Sequence, residues 1–399
     1  MLALEDYRIS PVSGCLLRQS TKPPATLVPY KKLLEHSHQL LLDGKIREAI
    51  EKLPQLDMSQ VTTHEEKRLA HKILAFLTAQ YVWQDGDKNP AEILPAVIAI
   101  PLMEVSIELG CQPILGHIDL VLSNCFPEKT QLLQRQSFYT EFLPSGQENW
   151  YPFIEITADI ELTFCDIAKI MMHVIRGIKR KNVESVVECL LKMGDLISIM
   201  RDQLALLFKE LDPKAFYCEM RQFLSGWSHG KISKGLVYEG VPDSVLTGGE
   251  SGSLSGDTLP KKRIYLGASA GQSISLQSLD AFLGIEHFED TEAFFTNLRH
   301  YMITEHRRFI EDLKKHVHLR DFIESVNSVE LKKAYNSCLK AMLLFRHEHV
   351  NIVTKFILEP SAMFTANAES LKSQGTGGSA LNLFLNCVNA RTEAAFYAV

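Results

Sequence analysis

The residues best suited to chemistry lie in one stretch, Leu339 to Leu358, LKAMLLFRHEHVNIVTKFIL. Cys338, Met342, Phe345, His349, Ile352 and Phe356 follow one another at steps of three or four, so they share one face of a helix. His349 therefore sits inside an apolar stripe. His347, two residues earlier, points about 200° away, among Leu343, Leu344, Asn351 and Thr354. A histidine in an apolar stripe needs a partner for its ring nitrogens, because an unpaired buried polar group costs free energy. A backbone carbonyl is the ordinary partner. A haem iron, which takes a neutral imidazole as its proximal ligand, is another.

Other chemistries find no support. The eight cysteines are scattered and none forms a CxxC pair, which argues against a zinc site or disulfide framework and fits a reducing compartment. There is no HExxH, GxGxxG or Walker A pattern. The net charge of −6 gives no reason to expect nucleic acid or an anionic membrane as partner. The apolar run Ile93 to Met103 is broken by Pro95 and Pro101 and is too short to span a bilayer. The N-terminus, MLALEDYRIS, has no basic region leading into an apolar core, so no signal peptide is expected. A 46% hydrophobic content over 399 residues is enough for one large core or two domains.

The elements that must position these residues read as helices. Residues 1–29 are Pro-rich and irregular. Tyr30 to Leu42 reads as a helix ending near Gly44, and Lys45 to Leu53 as a second. Thr63-His64-Glu65-Glu66 forms a capping box, and the helix after it carries Leu69, Ile73, Phe76, Leu77 and Tyr81 on one face. Pro101 to Leu109 and Ile114 to Leu122 read as short helices. Residues 126–150 are polar and turn-rich and suggest a boundary between a small domain, 1–145, and a large one, 146–399. Phe153 to Ile178 and Val183 to Phe208 are long helical patterns, the second with Gly194 in its stripe as a point of close approach or of weakness. Asp212-Pro213 is a helix start whose helix ends at Ser225-Gly226-Trp227. Residues 242–262 are Gly/Ser-rich and read as a mobile loop. Helices resume after Ser275, run through Thr291 to Val317 and lead to the His349 helix. A second loop spans 359–379, and Ala380 to Ala395 is the last helix. No segment alternates convincingly like a strand, so the expected class is all-α.

Several blocks, in order, resemble the indoleamine 2,3-dioxygenase family. They are PILGHIDLVLSN, WYPFIEITADIEL, Asp212 to Tyr217 with Arg221 and Phe223 to Trp227, Gly235 to Gly240, Gly267 to Ser273, RHEHVNIVTKFIL, and Gly375 to Gly378. The resemblance covers nearly the whole chain from about residue 30, and the 242–262 stretch is an insertion relative to it. It implies an all-α haem domain capped by a smaller helical one, with haem b as cofactor and His349 as iron ligand. Arg346, one turn earlier, would pair with a haem propionate, and Ser269 and Gly271 would lie against the haem edge. Phe153, Thr157, Phe216, Tyr217, Arg221, Ser269, Ala270 and Thr376 would bind substrate. Phe216 would stack on an indole and Arg221 would take a carboxylate, for which a planar guanidinium is suited. His117 would be a wall or supporting residue. The loop around Thr376 would close over substrate.

The implied reaction opens the pyrrole ring of L-tryptophan with O2 to give N-formylkynurenine, the first step of the kynurenine pathway. No acid/base dyad is required. A monomeric, cytoplasmic protein without membrane or nucleic-acid partner is expected. Two alternatives remain from the sequence. One is an oxygen-binding, myoglobin-like haem protein derived from the same family; retention of Phe216 and Arg221 argues against it. The other is a haem-free helical interaction protein.

Overall fold

The computed structural model describes residues 2–132, 135–228, 230–245, 247–248, 261–364 and 381–399. The first half is built from short helices around one long one. Helices α1 (Val28–Glu35), α2 (Ser37–Leu42) and α3 (Ile46–Glu51) lead to α4 (His64–Trp83). The expected single helix over 30–42 is thus broken at His36, and Gly44 turns the chain with φ +66°. The capping box forms as expected: Thr63 Oγ1 accepts from Glu66 N at 3.2 Å, and Glu66 Oε2 accepts from Thr63 N at 2.9 Å. The face formed by Leu69, Ile73, Phe76, Leu77 and Tyr81 is buried as expected, but the other faces are buried too, from Arg68 to Trp83.

That all-round burial makes partners necessary above all for the ionisable side chains of α4. Arg68 donates to Ser123 Oγ at 3.0 Å. His71 lies 2.6 Å from Asp119 Oδ1 and 3.0 Å from the Gln112 carbonyl. Lys72 donates to the Ser123 carbonyl at 2.7 Å and to Glu141 Oε2 at 2.5 Å. Glu141 also accepts from Lys31 at 2.6 Å and from Ser20 at 2.7 Å.

Helix α5 (Ala96–Leu109) starts before Pro101 rather than at it, with proline inside the helix. Ile114 to Leu122 yields only a π turn, Ile118–Leu122. Strands are present, contrary to expectation. β1 (Ile93–Leu94) joins the short β4 (Leu236–Tyr238) and β5 (Lys262–Arg263) in the order β1-β4-β5. β2 (Cys125–Leu132) and β3 (Arg135–Thr140) form an antiparallel hairpin pairing Cys125 with Thr140 and Phe126 with Tyr139. Pro127 and a register shift between Pro127 and Gln131 interrupt the period-two pattern there, and the other strands are too short to show one.

The second half is helical. α6 (Tyr151–Lys179) turns through Lys181, φ +54°, into α7 (Val183–Ala205), followed by α8 (Leu207–Glu210) rather than continuing to Phe208. Asp212 caps the short α9 (Pro213–Ala215) by accepting from the Lys214 and Ala215 amides. Then come α10 (Ile274–Leu283), α11 (Glu289–Arg299), α12 (Thr304–His316), α13 (Leu319–Val326) and α14 (Val329–Val353). The chain stays helical through α15 (Glu359–Phe364), where a loop was expected, and ends in α16 (Leu381–Ala394). α7 packs on both α6 and α14. A Cβ at Gly194 would lie 3.2 Å from Ser337 Oγ, so this glycine serves the close approach of α7 to α14. Of the 242–262 stretch, most lies outside the described residues, but its start is anchored: Thr247 is buried and bonded to Gln112, and the Gly248 carbonyl accepts from Gln112. Among the described residues no helix is long and apolar enough to cross a membrane.

The buried Lys72–Glu141 pair yields a stability prediction. Removing the carboxylate with Glu141→Ala leaves a buried ammonium uncompensated and is expected to cost about 3–5 kcal/mol, measured by urea unfolding. Burial pushes the Glu141 carboxyl up, but Lys72 and the hydrogen bonds outweigh it and hold the carboxyl below its ordinary value. Its stabilisation is therefore complete above the ordinary glutamate range, near pH 4.3, and is lost as pH falls through the lower folded-state value. The acid limb of the stability curve should flatten in Glu141→Ala.

Candidate functional site

Helix α14 carries His349 to the wall of a cavity of about 230 Å³. The stripe read from the sequence faces inward: Cys338 and Met342 are fully buried behind the cavity, and Phe345, His349, Ile352 and Phe356 line it. His347 points outward and is exposed. The His349 ring makes no hydrogen bond among the described residues, and burial pushes its pKa down to about 4, so it is neutral near pH 7. A neutral imidazole with an open nitrogen facing apolar space fits an iron-porphyrin as axial donor. Among the described residues no group of three or more His, Cys, Asp or Glu side chains is placed to hold a bare metal ion.

Three π turns surround the cavity: Ile118–Leu122, Phe216–Met220 and Thr354–Leu358. A π turn holds more residues than an α turn and re-aims the side chains beside it. Leu120 and Val121 come from the first, Phe216 from the second, Phe356 and Ile357 from the third, and all line the cavity. The expected helix from Asp212 to Ser225 is therefore a short α turn, this π turn and a 3-10 turn, Arg221–Leu224. The aromatic rings join across the space: Phe153 to Phe216 at 5.3 Å, and Phe216 to Phe356 at 6.0 Å nearly edge-on.

Arg221 is only 1% exposed yet lines the cavity, with its guanidinium 5.3 Å from the centre of the Tyr217 ring. Burial lowers its pKa. Its turn is tied to the Gly-rich segment by the Ala268 amide, which donates to the Leu224 carbonyl at 2.9 Å, and by the Trp227 amide, which donates to Tyr265 O at 2.8 Å. The two backbones lie so close that a Cβ at Gly226 would come within 2.2 Å of the Tyr265 carbonyl oxygen. That contact explains why both blocks carry glycine. Ser269, Ala270 and Gly271 then form a capped 3-10 turn on the wall, with Ser269 Oγ accepting from Gly271 N at 3.2 Å. A Cβ on Gly271 would meet Leu298 at 2.6 Å.

The structure thus brings Phe153, Thr157, Phe216, Arg221, Ser269, Ala270, Gly271 and His349 to one cavity. The Thr157 hydroxyl donates to the Phe153 carbonyl at 2.7 Å. Tyr217 is not in the lining; it lies beneath Arg221. Arg346 is not in the lining either. It is buried, pairs with Asp280 at 2.5 Å and bonds to Thr392. Asp280 also meets His287 Nε2 at 2.9 Å. Thr376 and the rest of 375–378 lie outside the described residues.

Among the described residues, one ionisable side chain of the cavity escaped the sequence reading. Glu161 is 1% exposed and takes Ser273 Oγ at 2.5 Å and His117 Nε2 at 2.9 Å on one oxygen, with Ser275 Oγ at 2.6 Å on the other. Burial pushes its carboxyl up, but these hydrogen bonds and the nearby His117 outweigh that and hold it below the ordinary value. The signal was present: Ile154, Ala158, Glu161, Cys165 and Ala168 form one buried helical stripe, in which a carboxylate needs donors. His117 is in the cavity wall, as the sequence implied.

A family model described as indoleamine 2,3-dioxygenase matches residues 3–395 of the chain. The chain is 34% identical over 402 residues to indoleamine 2,3-dioxygenase 2 of Homo sapiens, covering 98% of this chain and 95% of that protein. It is 30% identical over 406 residues to indoleamine 2,3-dioxygenase 1 of Mus musculus, covering 98% and 95%. It is also 31% identical over 396 residues to a myoglobin of Haliotis diversicolor, covering 98% of each.

The geometry separates the two histidines of the α14 motif. His349→Ala is expected to abolish stable haem retention, read as loss of the Soret band in purified protein. His347→Ala, at an exposed position, should leave that band within about 10% of wild type, since surface substitutions rarely disturb the fold. The reverse pattern would show that the ligand is His347.

Proposed function

The chain belongs to the indoleamine 2,3-dioxygenase family, and on that premise we propose that it is a haem-dependent dioxygenase of L-tryptophan. In this reading both atoms of O2 enter the substrate across the indole C2–C3 bond, and the product is N-formylkynurenine. The observation that carries it is that His349, neutral and open, shares an apolar cavity with the buried guanidinium of Arg221. A planar guanidinium at that wall is suited to pair a substrate carboxylate.

Haem supplies the activation of O2, which no side chain here could perform. The chain's own residues do the rest. His349 would hold the iron from one side. Arg221 would fix the substrate carboxylate with two parallel hydrogen bonds, its own position set by Tyr217 and by the Leu224–Ala268 link. Phe153 and Phe216 would confine the indole by ring packing. The apolar remainder of the lining excludes water and fixes orientation, which lowers the entropic part of the barrier. Ser269 and Gly271 present a turn with small side chains to the porphyrin edge in this reading. Arg346, held by Asp280 outside the lining, would reach a propionate only by sharing that contact. Thr376 would contribute to closure over substrate. A monomer in the cytoplasm completes the proposal.

The similarity to a Haliotis myoglobin favours a second reading, an oxygen-binding haem protein. The two readings differ in what Arg221 is for. Arg221→Ala should raise the KM for L-tryptophan at least about tenfold, because a charge-assisted hydrogen bond contributes roughly 1.5–3 kcal/mol and 1.4 kcal/mol is a factor of ten. Haem content and O2 binding should not change. The measurement is N-formylkynurenine formation across tryptophan concentrations at matched haem occupancy. A wild type that binds O2 but turns over no tryptophan establishes the oxygen-binding reading. A purified protein without a Soret band after haem reconstitution establishes a haem-free one.

A further inference from the structure

Besides His349, the cavity wall among the described residues carries ionisable side chains at two places. One is Arg221. The other is His117 with Glu161. His117 is 5% exposed, its Nε2 lies 2.9 Å from Glu161 Oε1, and its amide donates to Gln272 Oε1 at 3.1 Å. Ring and backbone are thus both fixed, and Glu161 is itself fixed by Ser273 and Ser275. His117 Nδ1, by contrast, makes no hydrogen bond among the described residues, and it is not sealed within the protein. Since the residue is buried apart from its place in the lining, the space open to Nδ1 is the cavity.

The two places lie at opposite ends of one wall segment. Ala268 is bonded to Leu224, in the turn that carries Arg221, and Ser273 is bonded to Glu161. Between them Ser269, Ala270 and Gly271 line the cavity, so the two stations face the space from different places along that wall. In the dioxygenase reading the substrate carboxylate is held at Arg221, which leaves the ring as the part of an indole amino acid available to His117.

We propose that His117, oriented by Glu161, is a specificity-determining hydrogen-bonding group that recognises a hydroxyl on the six-membered ring of the bound indole. The chain then favours ring-hydroxylated tryptophan over tryptophan itself. This rests on the dioxygenase reading for the position of the substrate carboxylate. A hydroxyl is the substituent of choice because it donates to a bare imidazole nitrogen and accepts from a protonated one. Filling Nδ1 also removes the cost of leaving it unpaired against an unsubstituted ring.

The test titrates the haem-loaded full chain with L-tryptophan and with 5-hydroxy-L-tryptophan, reading the Soret perturbation, for wild type, His117→Phe and His117→Gln. Wild type is expected to bind the hydroxylated ligand about tenfold more tightly, the worth of one well-placed hydrogen bond to an otherwise unpaired group. His117→Phe should bring that ratio to one, whatever it does to either Kd, and His117→Gln, which keeps a donor and an acceptor, should restore part of it. A wild-type ratio of one overturns the proposal, and this result needs no variant to fold. So does a His117→Phe protein that weakens on both ligands equally, which would mark His117 as merely structural. A wild type that binds neither ligand overturns the dioxygenase reading together with this one.

Discussion

A carboxylate in a dry wall is stable as an anion only when donors fill its oxygens, and Glu161 obtains them from two distant parts of the chain. His117 comes from the segment leading into the first π turn, and Ser273 and Ser275 come from the start of α10. Satisfying one charge therefore docks both segments onto α6. The Ser269–Gly271 turn, immediately before Ser273, is carried into the wall by the same contacts. The apolar lining depends on this arrangement: the cavity can be dry on its other sides because its charged groups are fixed at its edges.

Much of this was legible in the sequence where the chemistry is local. The phase of one helix distinguished His349 from His347, and capping at Thr63 and Asp212 placed helix starts correctly. What was not legible depends on partners far away in the chain. α4 reads as amphipathic, yet Arg68, His71 and Lys72 are buried because Ser123, Asp119 and Glu141 come to meet them. The hairpin at 125–140 is hidden by Pro127 and by a shift in register. Arg346 has the spacing of a residue beside the cavity, but Asp280, 66 residues away in sequence, directs its guanidinium elsewhere.

The aromatic chain Phe153–Phe216–Phe356 adds a mechanical link. Phe153 stands on α6, Phe216 on the turn that leads to Arg221, and Phe356 just beyond the His349 helix. Close-packed rings transmit displacement because interiors are packed as densely as organic crystals. Phe356 just beyond α14 and the turn before Arg221 are thereby in mechanical contact.

The π turns bear on how such a cavity could arise and be lost. Each is equivalent to one extra residue lodged in a helix without breaking it. Deleting a residue from Phe216–Met220 would let the turn relax to α spacing and leave the residues beyond it in phase. What would change is the aim of the side chains within the turn, Phe216 among them, while the core kept its composition. In this fold, a single-codon deletion that barely alters hydrophobicity can therefore reshape the cavity wall without moving the elements on either side of it.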